Sequence, residues 1–311
     1  MKNKFLITLI TTLALAGCSN KTPSNLDVSV LCPTGAPSLA FYNYALDTSF
    51  ETNSNASTGI LPQMIQGNKD VIVLPTNAGV QAIVNKSAPY KLAATITFGN
   101  IFIASTGNDD NNTLDDGDYI VLFQKGQVPD LLFHYIYGTT LDSNAHYVAD
   151  ASEASKCLKT GKNLTSNNEI VDYVLIAEPA LTSVMASTLS VTVTKNLQEE
   201  YKTKTNGLEI YQASIFINNN LDKQKADNFL SMIEKDINNG LNDFNKIKEG
   251  LEKAESIPTL YGVNNAEIVL QTLQNNNSMG LGFKKAKPNK QAIDNFLSLF
   301  NIGETNEEIY Y

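Results

Sequence analysis

Arginine is absent from this chain of 311 residues, so all 23 of its basic residues are lysine. That removes the planar fork with which proteins grip carboxylate, sulfonate or phosphate through paired hydrogen bonds. Tryptophan is absent as well, and two histidines and three cysteines are few from which to build a zinc or redox centre. No CxxC or HExxH spacing occurs, so neither a metal nor a cofactor is expected. The 32 acidic residues outnumber the lysines and set a formal net charge of −9, which excludes the basic face that a nucleic-acid partner requires. Nucleophile elbows, SxxK pairs and P-loops do not occur either, and His134, in an apolar stretch with Phe133 and Tyr135, reads as a structural histidine. The expectation is a protein that is not an enzyme. What is present is a 42% share of hydrophobic residues against only 18% charged, enough for two domains with cores of their own.

The chain opens with Lys2 and Lys4, an apolar run from Phe5 to Ala16, and Leu15-Ala16-Gly17-Cys18. This has the order of a secretory leader, and the run is too short to span a bilayer. A leucine three positions before a cysteine, with small residues between, resembles a bacterial lipobox. That resemblance implies a signal peptide over residues 1–17, lipidation of Cys18, and a polar tether over 18–26. The protein is then extracytoplasmic and held to the cell membrane by its lipid anchor; an ordinary secretory leader is the alternative. Cys32 and Cys157 both lie in apolar surroundings far apart in sequence and read as buried free thiols rather than a bridge.

Four strand, turn and helix units follow. Asp27 to Cys32 reads as a buried strand that stops at Pro33 to Ser38 before helical character resumes from Leu39 to Leu46. Asp70 to Leu74, Tyr119 to Phe123 and Tyr173 to Ala177 repeat the design, each followed by a polar or proline-containing turn and a helical stretch. The pattern predicts an α/β protein with mainly parallel sheets covered on both faces. Two long extended runs, Leu92 to Ser105 and Glu209 to Ile217, enclose the third and fourth units. A chain that leaves one lobe by a strand and returns by another has two hinge crossovers, which gives lobe 1 residues 27–97 and 213–311 and lobe 2 residues 98–212. Four later stretches, Asp222 to Asn239, Leu241 to Ala254, Asn264 to Gln274 and Lys290 to Phe300, have helical periodicity and suit the cover of lobe 1.

In open α/β sheets ligands settle beyond the carboxyl ends of the strands, where helices begin and leave backbone N–H groups unpaired. Thr34, Thr76, Asn77 and Asp130 stand at such turns and can cap a helix or bond a polar solute, while Gly35 and Gly126 allow close backbone approach.

The layout resembles the extracytoplasmic solute-binding lipoproteins of ABC importers, with the type II periplasmic-binding-protein fold, in the group that includes nitrate, sulfonate, taurine and thiamine-pyrimidine binders. Pro33-Thr34-Gly35-Ala36-Pro37, Asp70 to Asn77, Phe98-Gly99-Asn100-Ile101-Phe102, Glu178-Pro179 and the tail from Phe300 to Tyr311 carry the match. The tail departs from the family at Glu304-Thr305-Asn306, where a second glycine and a proline are usual. The resemblance implies an interlobe cleft that captures a small-molecule solute, a monomer that delivers it to an ABC permease, and an ATPase on the inner side. It implies ligand contacts from Thr34, Gly35, Ala36, Thr76, Asn77, Phe98, Asn100, Gly126, Gln127 and Glu178. Glu178 and Asp130 on the rim, with Phe98 as an aromatic wall, suit a neutral or cationic nitrogenous solute of thiamine-pyrimidine type. A sulfonate or nitrate-type anion, held by backbone N–H groups and Lys125, remains the alternative. An enzyme or an adhesin-type lipoprotein is the competing class.

Overall fold

The computed structural model describes residues 26–46, 49–109, 111, 113–141, 144–254, 260–262 and 265–311. The segment expected to be a signal peptide, Cys18, and the expected tether up to residue 25 lie outside the described residues. The first sheet has six strands in the order β13–β4–β12–β3–β1–β2. These are β1 (Val30–Pro33), β2 (Phe50–Asn53), β3 (Val71–Pro75), β4 (Tyr90–Thr97), β12 (Ala213–Asn218) and β13 (Leu281–Lys285). The second sheet has five, in the order β11–β5–β10–β6–β7. They are β5 (Ile101–Ser105), β6 (Ile120–Phe123), β7 (Ala145–Val148), β10 (Tyr173–Ala177) and β11 (Thr192–Asn196). A short hairpin of β8 (Lys162–Asn163) and β9 (Glu169–Ile170) lies apart from both.

The sheets are mixed rather than mainly parallel. β2, β1 and β3 run parallel, as do β7, β6 and β10, but β12 is antiparallel to β3 and β4, and β5 is antiparallel to β10 and β11. The reason lies in the connections. The extended run from Leu92 to Ser105 is two strands in different sheets, β4 and β5, joined by Phe98-Gly99-Asn100 with Gly99 at a φ of 97°. The chain returns into the first sheet as β12. A strand that enters a sheet from the other sheet arrives at the end where the parallel strands finish, so it runs against them.

Alternation within the strands sorts side chains onto two faces. On β3, Val71 and Val73 join one buried cluster and Ile72 and Leu74 the other; on β12, Ile215 and Ile217 oppose Phe216 in the same way. The first face packs against Phe41, Tyr42, Phe229 and Ile233, and so against the long helix Lys223–Asn242. The opposite face belongs to a cluster that continues without interruption into the second sheet. The helical stretch expected from Leu39 to Leu46 is a pair of 3-10 turns, Ala36–Phe41 and Tyr44–Leu46, the first of which begins three residues earlier. Ser38 sets that first turn by donating its backbone N–H and its hydroxyl to Gly35 O.

α2 (Thr76–Lys86) lies directly on Phe216: a Cβ added at Gly79 would stand 2.1 Å from the Phe216 ring. Both residues are buried, so neither can yield. Gly79→Ala is therefore expected to lower the unfolding free energy by about 1–3 kcal/mol. Urea titration measures it, and Phe216→Leu, destabilising alone, should recover part of the loss in the double variant.

Candidate functional site

Helices that follow strands of different sheets face one another across a cavity of about 420 Å³, within the range of small-molecule sites. One wall is α2, which presents Asn77, Ala78, Gln81, Ala82, Asn85 and Lys86. Positions i, i+1, i+4, i+5, i+8 and i+9 form one helical face, so the cleft runs along about 14 Å of the helix. The other wall is Gly126, Gln127 and Leu131 at the start of α3 (Val128–Tyr137), the helix that follows β6. Leu61 and Ile65 of α1 (Leu61–Gln66) and the tail segment Leu299 to Asn301 close the sides. Among the described residues that line it none is acidic; the polar ones are serine, amides and Lys86.

The start of each walling helix receives no side-chain cap. Pro75 precedes α2 and has no side-chain acceptor, and Gln127 before α3 leaves its amide unused as a cap. The turn before α3 is shaped by left-handed backbone at Gln124 (φ 54°) and Gly126 (φ 75°), and Asp130 holds it by accepting Gly126 N at 2.6 Å. The other Asp130 oxygen accepts Tyr147 OH at 2.7 Å, with His134 Nε2 3.1 Å away. Lys125 Nζ rests over the Tyr147 ring, 4.6 Å from its centre.

Glu178 behaves differently from a rim carboxylate. It is buried and accepts hydrogen bonds from Thr182 N and Thr182 Oγ1, both at 2.9 Å, which caps the helix beginning at Ala180. Ser278 Oγ, from the segment before β13, reaches the same carboxylate at 3.3 Å. Burial pushes the Glu178 carboxyl above its ordinary value, against the lowering effect of those hydrogen bonds.

Of the ten expected ligand residues, the structure brings Asn77, Gly126 and Gln127 to the cleft. Thr76 lies one residue from it, with its hydroxyl bonded to Ser214 Oγ at 2.7 Å. Thr34, Gly35 and Ala36 form the turn after β1, next to Gly262 and outside the cavity lining. Phe98 packs edge-on against Tyr211 at 5.6 Å with Lys284 Nζ 5.3 Å from its ring centre, so it is a wall of the crossover and not of the cavity. Asn100 donates to Glu178 O at 2.9 Å on the same crossover. The sequence reading overlooked Gln81, Asn85 and Lys86, although their helical spacing from Asn77 carried the signal, and the tail residues, which carried none.

Buried side-chain oxygens without a partner among the described residues include Asn77 Oδ1 at the cavity wall and Thr97 Oγ1, Asn100 Oδ1 and Gln212 Oε1 at the two passages between the sheets. Leaving such a group unsatisfied costs about 1–3 kcal/mol. No group of three or more His, Cys, Asp or Glu able to hold a metal occurs among the described residues, and no described helix is long and apolar enough to cross a membrane. Cys32 and Cys157 are free and buried, and burial raises both thiols above their ordinary range.

No protein-family model matches the chain, and no curated protein does. Solved structures do. An ABC transporter protein of Parabacteroides distasonis is 18% identical with a TM-score of 0.67, covering 88% of this chain and 92% of that one. The periplasmic aliphatic sulphonate binding protein of Escherichia coli is 13% identical with a TM-score of 0.61, covering 90% and 91%. A Candida albicans protein described as exhibiting the generic periplasmic binding protein fold is 12% identical with a TM-score of 0.55, covering 91% and 92%. This chain has the periplasmic-binding-protein fold.

Glu178 supplies a pH test. The folded state holds its proton more tightly than the unfolded chain, so the folded protein is favoured below the ordinary value of 4.5 and loses that increment as pH rises through the raised pKa. The stability difference between the unmodified protein and Glu178→Gln should therefore shrink or reverse with rising pH. Urea midpoints measured at a series of pH values check it; a difference constant with pH contradicts a raised carboxyl.

Proposed function

We propose that the protein is the solute-binding component of an ABC importer, capturing a small polar solute between two lobes and handing it to a membrane permease. Lobe 1 comprises residues 27–97 and 213–311, lobe 2 residues 98–212, and the passages at 98–100 and 208–212 are the hinges. The observation that carries this reading is a cavity walled by helix starts from two different sheets. Such a cavity excludes water when the walls meet, and hydrogen bonds inside it discriminate between solutes. The protein works outside the cytoplasm as a monomer, tethered through a lipid on Cys18, and releases its solute unchanged.

The solute is an anion of sulfonate type. A neutral or cationic solute of thiamine-pyrimidine type would need Glu178 and Asp130 as an acidic rim and Phe98 as an aromatic wall. Both carboxylates are instead bonded to their own helix starts, and Phe98 is covered by Tyr211 and Lys284. What faces the cavity is Lys86, side-chain amides and the positive ends of α2 and α3. The likeness to a sulphonate-binding protein supports the same class. Without arginine, an anion is held by these dispersed donors.

The test is calorimetry on protein stripped by unfolding and refolding. Ethanesulfonate should bind saturably and raise the melting temperature by several degrees, with Lys86→Glu weakening it about tenfold. Response to an aminopyrimidine and none to the sulfonate would falsify the anion assignment. Mass spectrometry of solute released from freshly purified, denatured protein gives an independent identification.

A further inference from the structure

Residues 278–284 run from the turn after the helix Ala266–Gln274 into β13, and every second one of them touches a passage between the sheets or the second sheet itself. Ser278 Oγ, which also donates to Thr272 O at 2.9 Å, stands 3.3 Å from a Glu178 carboxylate oxygen. Gly280 O accepts Phe98 N at 2.8 Å, and a Cβ added at Gly280 would stand 2.2 Å from Gly99 O. Gly282 leaves room for the Phe98 ring, which comes within 2.9 Å of where a Cβ would be. Lys284 pairs with Glu209 of the second passage and holds its ammonium 5.3 Å from the centre of the Phe98 ring. Tyr211, also of the second passage, meets that ring edge-on.

The start of this stretch is fixed. Asn277 closes the turn with both ends of its amide, accepting Leu281 N at 3.2 Å and donating to Leu281 O at 2.7 Å. Strand order places the stretch in line with the passages. In the first sheet β4 lies between β12 and β13, and in the second β5 lies between β11 and β10, the strand that ends one residue before Glu178. The first passage joins β4 to β5, the second returns the chain to β12, and Ser278 reaches Glu178 from the β13 side. The connections therefore stand in a row, two of them covalent and one not. A ribbon of two strands bends and twists readily, and a third tie in the same row opposes the twist.

We infer that residues 278–284 form a third, noncovalent connection between the halves, in which Ser278 and Lys284 are positioning residues that stiffen the hinge. This rests on the two-lobe reading above and not on the identity of the solute. Lys284 acts on both passages at once, through the Glu209 carboxylate of one and the Phe98 ring of the other. Ser278 has a fixed anchor, because Glu178 is already held by Thr182 at its own helix start.

Amide hydrogen exchange on the full chain tests it. Phe98 N and Gln212 N, both bonded within the crossing, report on the passages, and the amides of β3 and β6 report on the two sheets. In the unmodified protein the passage amides should exchange faster than those of β3 and β6, because a hinge opens locally. Ser278→Ala combined with Lys284→Ala should quicken the passages about fivefold or more and leave β3 and β6 unchanged. Lys284→Arg, which keeps the charge opposite Glu209, should restore the passages in the presence of Ser278→Ala to within about twofold of the unmodified protein. No change in the double variant, or an equal rise in passages and sheets, overturns the third connection and leaves the hinges in place. Passage amides as slow as those of β3 and β6 in the unmodified protein overturn the hinges, and the two-lobe reading with them. Should the double variant fold poorly, Lys284→Ala alone decides: a rise confined to the passages supports the connection, and none overturns it.

Discussion

The chain passes between the two sheets twice, and the two passages are held side by side; the rest of the molecule follows from that constraint. Gln212 N to Thr97 O joins them directly, and Phe98 N to Gly280 O at 2.8 Å ties the first passage to the segment entering β13. Phe98 and Tyr211 meet edge to face, and Lys284 pairs with Glu209 while resting over Phe98. Because both passages leave at the end where the parallel strands finish, that end of one sheet is turned toward the same end of the other. The starts of α2 and α3 then confront each other without either helix having an affinity for the other.

The arrangement of charge at those helix starts is uneven, and the unevenness makes a site. A helix start exposes backbone N–H groups and attracts negative charge. At the helix beginning at Ala180 that attraction is met internally by Glu178, and in the turn before α3 one N–H is met by Asp130. α2 begins after a proline that can cap nothing, and its second residue, Asn77, has a buried oxygen without a partner. Acidic residues that look like a rim in the sequence are thereby bonded within the scaffold and absent from the cavity lining. The overall charge of −9 says nothing about the local field, which is set by Lys86 and the helix ends.

Interior strands were legible in the sequence and edge strands were not. β1, β3, β6 and β10 are buried along nearly their whole length and write themselves as apolar runs. β2, β7, β11 and β13, which form the four sheet edges, are half-solvated, short and polar, and all four went unread. The direction of β5 and β12 was also hidden, because an extended run has the same composition whichever way its neighbours run. Asn77, Gly126 and Gln127 were legible because turns after strands announce themselves by residue type. Phe98 and Glu178 were misjudged for a different reason: an aromatic or a carboxylate at a strand end can face a ligand or its own scaffold, and only the neighbours decide.

By itself the sequence determined the alternation of strands and helices, the two extended crossings between halves, and the poverty of groups for metal or nucleophilic chemistry. These are properties of local pattern and composition, which survive without knowledge of what touches what. Only the tertiary structure decided which carboxylates are consumed inside the fold, which face of α2 lines the cleft, and which buried oxygens lack a partner. Each of those depends on residues far apart in the chain, such as Thr97 with Gln212 and Glu178 with Ser278, whose meeting is fixed by sheet pairing and by the packing between the halves.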